Sequence, residues 1–226
     1  MAELRVGASG FSFASWRPGF YPPGTKPAGF LAYYAEHLET VEINNSFYRL
    51  PAEDTFAKWA ATVPDGFRFS VKAPRAVTVF GRVDYVPDLN ARVRSLGDRL
   101  GPLLVRLADK RERDDAFLAS LLDAIDDDLD VALDLRDPSW DGIEPELERW
   151  GAVRVNQLDG AAGFRYLRMR DPPYDDAALE ATGRRSAGSS TAASTSTATS
   201  ATRTSRPPRP TPRGCASSSA GSVQPR

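Results

Sequence analysis

Short apolar runs separated by amphipathic stretches set what the first 180 residues can fold into. The runs lie at residues 4–7, 41–44, 67–72, 102–107, 130–136, 153–156 and 164–169. Each has the length of a strand. Between and after them, residues 28–38, 53–61, 89–99, 113–125, 145–150 and 175–180 carry apolar side chains at helical spacing. Strands alternating with helices are the pattern of βα units around a parallel sheet. Seven strands in about 170 residues fall one short of a closed eight-stranded barrel, which takes ~200 residues or more. The expected fold is α/β: a TIM-like (β/α) barrel over residues 1–181, lacking its eighth βα unit.

The stretch VEINNSFYRLP at 41–51 locates a site. Val41 and Ile43 alternate with Glu42 and Asn44, and the strand runs into a polar and aromatic loop closed by Pro51. An acid and two amides at the end of a buried strand are costly unless paired or useful. In a barrel the site lies at the C-terminal strand ends. Those ends carry Ser9 and Gly10, then Glu42, Asn44 and Asn45, then Lys72, then Arg106. Asp134 and Arg136 follow, then Asn156 and Asp159, then Arg168 and Arg170. Glu42 and Asn44 share parity, as do Asp134 and Arg136, so each pair faces one way.

Glu42, Asp134 and Lys72 are the catalytic candidates, as acid, base and cation. Ser9, Asn44, Asn45, Tyr48, Arg106, Arg136 and Trp140 are the ligand-binding candidates. Each has a structural alternative. Glu42 with Lys72 or Arg136 makes an ion pair closing the barrel top, and such pairs often serve no chemistry. Asp134 and Arg136 orient the loop before Pro138. Phe47, Tyr48 and Trp140 act as lids packed over the barrel. Trp16, Trp59 and Trp150 pack, and His37 ends a helix rather than binding a ligand.

The same motifs carry a family resemblance. ASGFSFASW at 8–16, VEINNSFYRLP at 41–51, FRFSVKAPRAVT at 67–78, LGPLLVRL at 100–107 and LDLRDPSW at 133–140 occur in order. Together they resemble the YecE-like family, known as domain of unknown function 72. Ala8 stands where that family has Thr, Phe11 where it has Trp, Arg106 where it has Gln, and Asp134 where it has Glu. Val79 stands where it often has His. The resemblance implies a TIM-like barrel and names no reaction.

Motifs that would name a reaction are missing from the sequence: it has no Walker loop, nucleophile elbow or CxxC. One histidine is too few for the usual His-rich metal cluster, and Asp126-Asp127-Asp128 lacks EF-hand spacing. No metal is expected, and no cofactor is named. No apolar run is long enough to span a membrane. The one cysteine, Cys215, lies near the end of the chain, so a disulfide-free domain in a reducing cytoplasm is expected. The chain says nothing of its oligomeric state.

Composition breaks abruptly after Ala181. Residues 182–226 contain no Leu, Ile, Phe, Tyr, Trp, Asp, Glu or Lys, and are dominated by Ser, Thr, Ala, Pro, Gly and Arg. Such a segment cannot bury a core and reads as disordered. The break falls inside the expected seventh helix, which points to a shift of reading frame. If Ser uses its four-codon box, STAASTSTATS at 190–200 fixes the first two bases of every codon. Moved back one base, those bases confine the peptide to apolar, polar, small, small, apolar, polar, apolar, polar, small, polar, apolar, and suitable first bases permit LDGGVDVYCYF. That peptide resembles the closing strand of the YecE-like family, the missing eighth unit. The alternative is a genuine low-complexity tail binding RNA or a partner through Arg. Without the tail, residues 1–181 hold 22 basic and 30 acidic side chains. This balance disfavours nonspecific duplex-DNA binding, which needs basic surface.

Three functional readings follow. The first is an enzyme acting on an anionic or polyhydroxylated small substrate through Glu42 or Asp134, with Lys72 and Arg136 fixing the substrate. The second is a binding module for a phosphate-bearing ligand or single-stranded nucleic acid, stacking on Phe47, Tyr48 and Trp140. The third is a structural or interaction protein whose polar mouth is only an ion-pair network.

Overall fold

The computed structural model describes residues 3–160 and 162–169, with the backbone of Thr195–Ser196. β1 (Gly7–Ala8), β2 (Thr40–Ile43), β3 (Arg68–Lys72), β4 (Leu100–Arg106), β5 (Val131–Asp134) and β6 (Val153–Arg154) join in chain order into one sheet. Every neighbouring pair is parallel. Parallel neighbours need crossover connections. These carry α1 (Phe30–Ala35), α2 (Glu53–Thr62), α3 (Arg75–Thr78), α4 (Val86–Val93), α5 (Asp115–Ala124) and α6 (Glu144–Arg149).

β7 (Arg165–Tyr166) stands outside the six-stranded sheet and pairs in parallel with β8 (Thr195–Ser196). The Asn156 amide N–H donates to the Tyr166 carbonyl at 2.9 Å, tying the exit of β6 to β7. The sheet is therefore not closed. The helix expected at 175–180 lies outside the described residues, as does the tail apart from β8.

Local chemistry explains the element ends. Glu53 and Asp54 occupy the first turn of α2, where the helix dipole favours negative charge. Asp114 caps α5 by accepting from the Phe117 amide at 2.9 Å. The helix expected at 89–99 splits in two. α4 ends at Val93, and a 3₁₀ segment, Arg94–Arg99, follows. Gly97 lies in that segment at φ 53° and ψ −133°, a backbone that glycine reaches at little steric cost. The first strand is shorter than expected: Leu4 and Val6 are exposed, and only Gly7–Ala8 pairs with β2.

Alternation along the strands builds two cores. Val41, Ile43, Phe69, Val71, Leu103, Val105, Val131 and Leu133 face the helices, together with Phe56, Leu89, Leu118 and Leu121. Leu104, Ala132, Val153, Phe164 and Tyr166 form a second cluster on the opposite face. That second face also carries the buried polar residues Glu42, Ser70, Lys72 and Asp134. Its mixed character marks it as the face that bears the site.

Candidate functional site

Register sets the first layer. Glu42 of β2 is paired with Ser70 of β3, and Arg106 of β4 with Asp134 of β5. Because the strands are parallel, all four approach one end of the sheet. A flat sheet would separate β2 from β5 by roughly 14 Å, three strand spacings. Yet one guanidinium reaches both. Arg168 Nη2 lies 2.7 Å from Glu42 Oε1, and Arg168 Nη1 lies 3.0 Å from Asp134 Oδ2. The sheet must curl toward this face for that to happen.

Glu42 is buried and well served. Its Oε1 accepts from Arg168 and from the Ser9 hydroxyl at 3.1 Å, and its Oε2 accepts from the Tyr166 hydroxyl at 2.9 Å. Burial first, and then the charge of Glu42, push the Tyr166 hydroxyl well above its ordinary pKa, so it stays protonated and donates. Ser70 Oγ lies 2.9 Å from the Tyr166 oxygen and 2.9 Å from the Pro102 carbonyl. With the tyrosine proton committed to Glu42, the single Ser70 proton is shared between those two acceptors.

Asp134 is the hub of the cations. Arg106 Nε lies 3.6 Å from its Oδ2, and Arg136 Nε lies 3.5 Å from its Oδ1. Both arginines also reach Asp109 Oδ1, at 2.7 Å and 3.1 Å. Arg106 Nε is buried and makes no hydrogen bond. Lys72 closes β3 with its Nζ 4.4 Å from the Phe47 ring centre, a cation–π contact. Among the described residues the network joins three arginines, Arg106, Arg136 and Arg168, to three acids, Glu42, Asp109 and Asp134, with Lys72 at the end of the neighbouring strand.

The remaining candidates fall into place around it. Asn44 Nδ2 donates to the Ser9 carbonyl at 3.3 Å, so the two loops are stitched together. Asn45 opens a 3₁₀ turn, Asn45–Phe47, and its carbonyl accepts from the Tyr48 and Arg49 amides. Tyr48 is 77% exposed and meets Phe47 edge-on at 5.1 Å. Trp140 differs from its expected place among the ligand-binding residues. It is fully buried, with its indole N–H on the Arg111 carbonyl at 2.8 Å, because burying so large a ring outweighs leaving it at a wet mouth. The ion pair expected between Glu42 and Lys72 or Arg136 is instead made with Arg168. Arg168 stood among the strand ends without an assigned role. Tyr166 and Ser70 carried no signal beyond strand parity and register. His37 stacks on Tyr33 at 4.3 Å, at the end of the first helix. Among the described residues, no three His, Cys, Asp or Glu side chains come together as metal ligands.

Comparison with known proteins follows this geometry. The family model described as Protein of unknown function DUF72 matches residues 5–179. The chain belongs to that family. UPF0759 protein YunF of Bacillus subtilis is 25% identical over 162 residues, covering 70% of this chain and 50% of that protein. UPF0759 protein YecE of Escherichia coli K12 is 27% identical over 115 residues, covering 49% of this chain and 42% of that protein. The chain thus matches at most half the length of either relative. The crystal structure of a DUF72 family protein from Thermotoga maritima superposes with a TM-score of 0.71 at 21% identity, covering 82% of this chain and 87% of the other. One from Enterococcus faecalis gives 0.66 at 16% identity, covering 86% and 88%. These likenesses show the DUF72 fold and assign no activity.

Proposed function

We propose that the C-terminal end of the sheet is a recognition site for a small phosphate-bearing or carboxylate-bearing ligand. The carrying observation is the double bridge of Arg168 to Glu42 and Asp134. It occupies the two buried acids, and three further cations, Lys72, Arg106 and Arg136, stand at the ends of the strands around it. Lys72, Arg106 and Arg136 then supply the cations that meet the anion. The surrounding strand ends hold these groups in place before the ligand arrives, which keeps the entropic cost of binding low.

Proton transfer is a second reading, favoured by the same bridge. An incoming anion competes with Glu42 for Arg168. A drawn-off Arg168 leaves Glu42 Oε1 with the Ser9 hydroxyl, poised as a base. The TIM-like barrel belongs to this proposal as well. The curl that lets β2, β5 and the segment after β7 share one guanidinium supports it. A cytoplasmic setting rests on the lone cysteine, and among the described residues no helix is long and apolar enough to cross a membrane.

Calorimetric titration of the full chain with pyrophosphate and citrate tests the reading. Lys72→Ala is expected to weaken binding roughly 10- to 100-fold, the worth of one charge-assisted hydrogen bond. The melting temperature should fall far less than in Arg168→Ala, because Glu42 keeps Ser9, Tyr166 and Arg168. Arg168→Ala should instead destabilise the fold by about 3–5 kcal/mol, since it strips a cation from two buried carboxylates. Absence of binding for both anions by the wild-type chain would sink the proposal. Glu42→Gln separates the two readings: turnover of a bound ligand by the wild-type chain, lost in a variant that still binds it, assigns proton transfer to Glu42, and binding without turnover by both leaves recognition alone.

A further inference from the structure

The loops that leave β2, β3 and β4 share one repeated device. Each places a cation over an aromatic ring. Lys72 lies over Phe47 at 4.4 Å, and Arg75 lies over Phe80 at 5.0 Å. Arg82 lies over Tyr85 at 4.9 Å, and Arg111 over Phe117 at 3.9 Å. Phe80 is 61% exposed and Tyr85 45%, so these rings do not serve the core. A single exposed ring is ordinary; what marks this region is that several lie on neighbouring strand exits, each beside a cation.

The pairs form one continuous rim. β2, β3 and β4 are adjacent and parallel, so their exit loops lie side by side. The turn after Phe80 closes against the next loop: a Cβ at Gly81 would sit 3.6 Å from the Phe117 ring and 4.0 Å from Arg111. Tyr48, the most exposed aromatic of the β2 exit, extends the rim on the other side.

Charge follows the rings. Residues 44–52, 72–85 and 106–117, which form these exits, hold eight basic and five acidic side chains. Residues 1–181 as a whole hold 22 basic and 30 acidic. The rim is therefore a positive patch on a negative domain. At physiological salt, fields decay over ~8 Å, so a ligand lying on the rim senses the patch rather than the whole.

Exposed rings such as Phe80 and Tyr85, each with a cation beside it and set in a positive strip, are the arrangement that receives unpaired bases. We propose that this rim stacks the bases of a single-stranded nucleic acid whose phosphates are held by the mouth cations. The inference rests on the anion-recognition reading above and names the class of its ligand. Duplex is not the partner, because paired bases hide the faces that the rings would meet.

Fluorescence anisotropy with labelled 15-mers of thymidylate, of riboadenylate and of abasic phosphodiester tests it on the full chain. The abasic strand carries the same phosphates and no bases. The seven arginines of residues 182–226 respond equally to either strand and are unchanged in the variants. The wild-type chain should bind the base-bearing strands at least about fivefold more tightly than the abasic one. Phe80→Ala and Tyr85→Ala should erase that difference at unchanged melting temperature, while Phe80→Trp keeps it. Equal binding of abasic and base-bearing strands, or equal binding of a duplex, would overturn the rim. Pyrophosphate still bound in that case leaves the mouth reading standing. Loss of pyrophosphate binding as well removes both.

Discussion

Tyr34 is a residue whose chemistry the fold has committed. It is fully buried; its hydroxyl donates to the Thr40 carbonyl at 2.8 Å and accepts from the Ala8 amide at 2.7 Å. One side chain thus fastens α1 to both β1 and β2. Burial, the largest cause, pushes its pKa from 10.0 up to about 12. An unfolded tyrosine ionises near 10, so below that pH both states are protonated and the contribution is complete. As pH rises from 10 to 12, only the unfolded state sheds its proton, and stability falls. The shift of two units corresponds to about 2.7 kcal/mol. Melts between pH 9 and 12 should show this decline, with the tyrosinate absorbance of Tyr34, like that of the buried Tyr166, appearing only on unfolding. Tyr34→Phe should remove that part of the pH dependence. It should also cost about 1–3 kcal/mol at neutral pH, by leaving the Ala8 amide and Thr40 carbonyl without a partner. A pH profile identical in the variant and the parent would refute the assignment.

At the scale of elements, β1 is the weak point of the sheet, and Gly7 is why it exists at all. A Cβ at Gly7 would stand 1.9 Å from the Thr40 carbonyl oxygen, which is backbone and cannot step aside. Gly7→Ala should therefore unpair β1 from β2 and cost several kcal/mol, read as a fall in denaturation midpoint. A midpoint within error of the parent would contradict the close approach. Gly7 was legible in the sequence only as part of a strand, because a close approach of two backbones has no local signature. Strands β2 to β7 were legible because each is a short apolar run between helical patterns. The split of the helix at 89–99 was hidden because Gly97 falls within an otherwise periodic stretch. The site was half legible for the same kind of reason. Glu42, Asp134 and the strand-end cations follow from parity and position. The choice of Arg168 as partner of Glu42, across 126 residues, is decided by how far the sheet curls, and no local pattern encodes that.

For the whole molecule, the open edge of β1 carries the largest consequence. Leu4 and Val6, at its entry, are apolar side chains left 52% and 54% exposed. β7 is meanwhile paired with Thr195–Ser196, which falls within the stretch 190–200 whose shifted frame permits LDGGVDVYCYF. In the frame as given, that stretch offers only Ser, Thr and Ala to a strand that should help fill a core. If the frame shifts after Ala181, the restored strand is expected to pair the edge that β1 presents among the described residues and to cover Leu4 and Val6. Burying two aliphatic side chains contributes ~1.5–3 kcal/mol each. Pairing an open edge also removes a template for aggregation. For a domain of 150–250 residues, 1 kcal/mol moves the melting temperature by about 2–4 °C. The chain restored in frame after Ala181 should then melt roughly 10 °C higher than the chain as given, and should scatter less light on heating. Sequencing the gene across the codons for Ala181 and Thr182 should reveal the shifted base. Equal melting temperatures for the two proteins would show that the given tail is native and that the open edge is closed by something else.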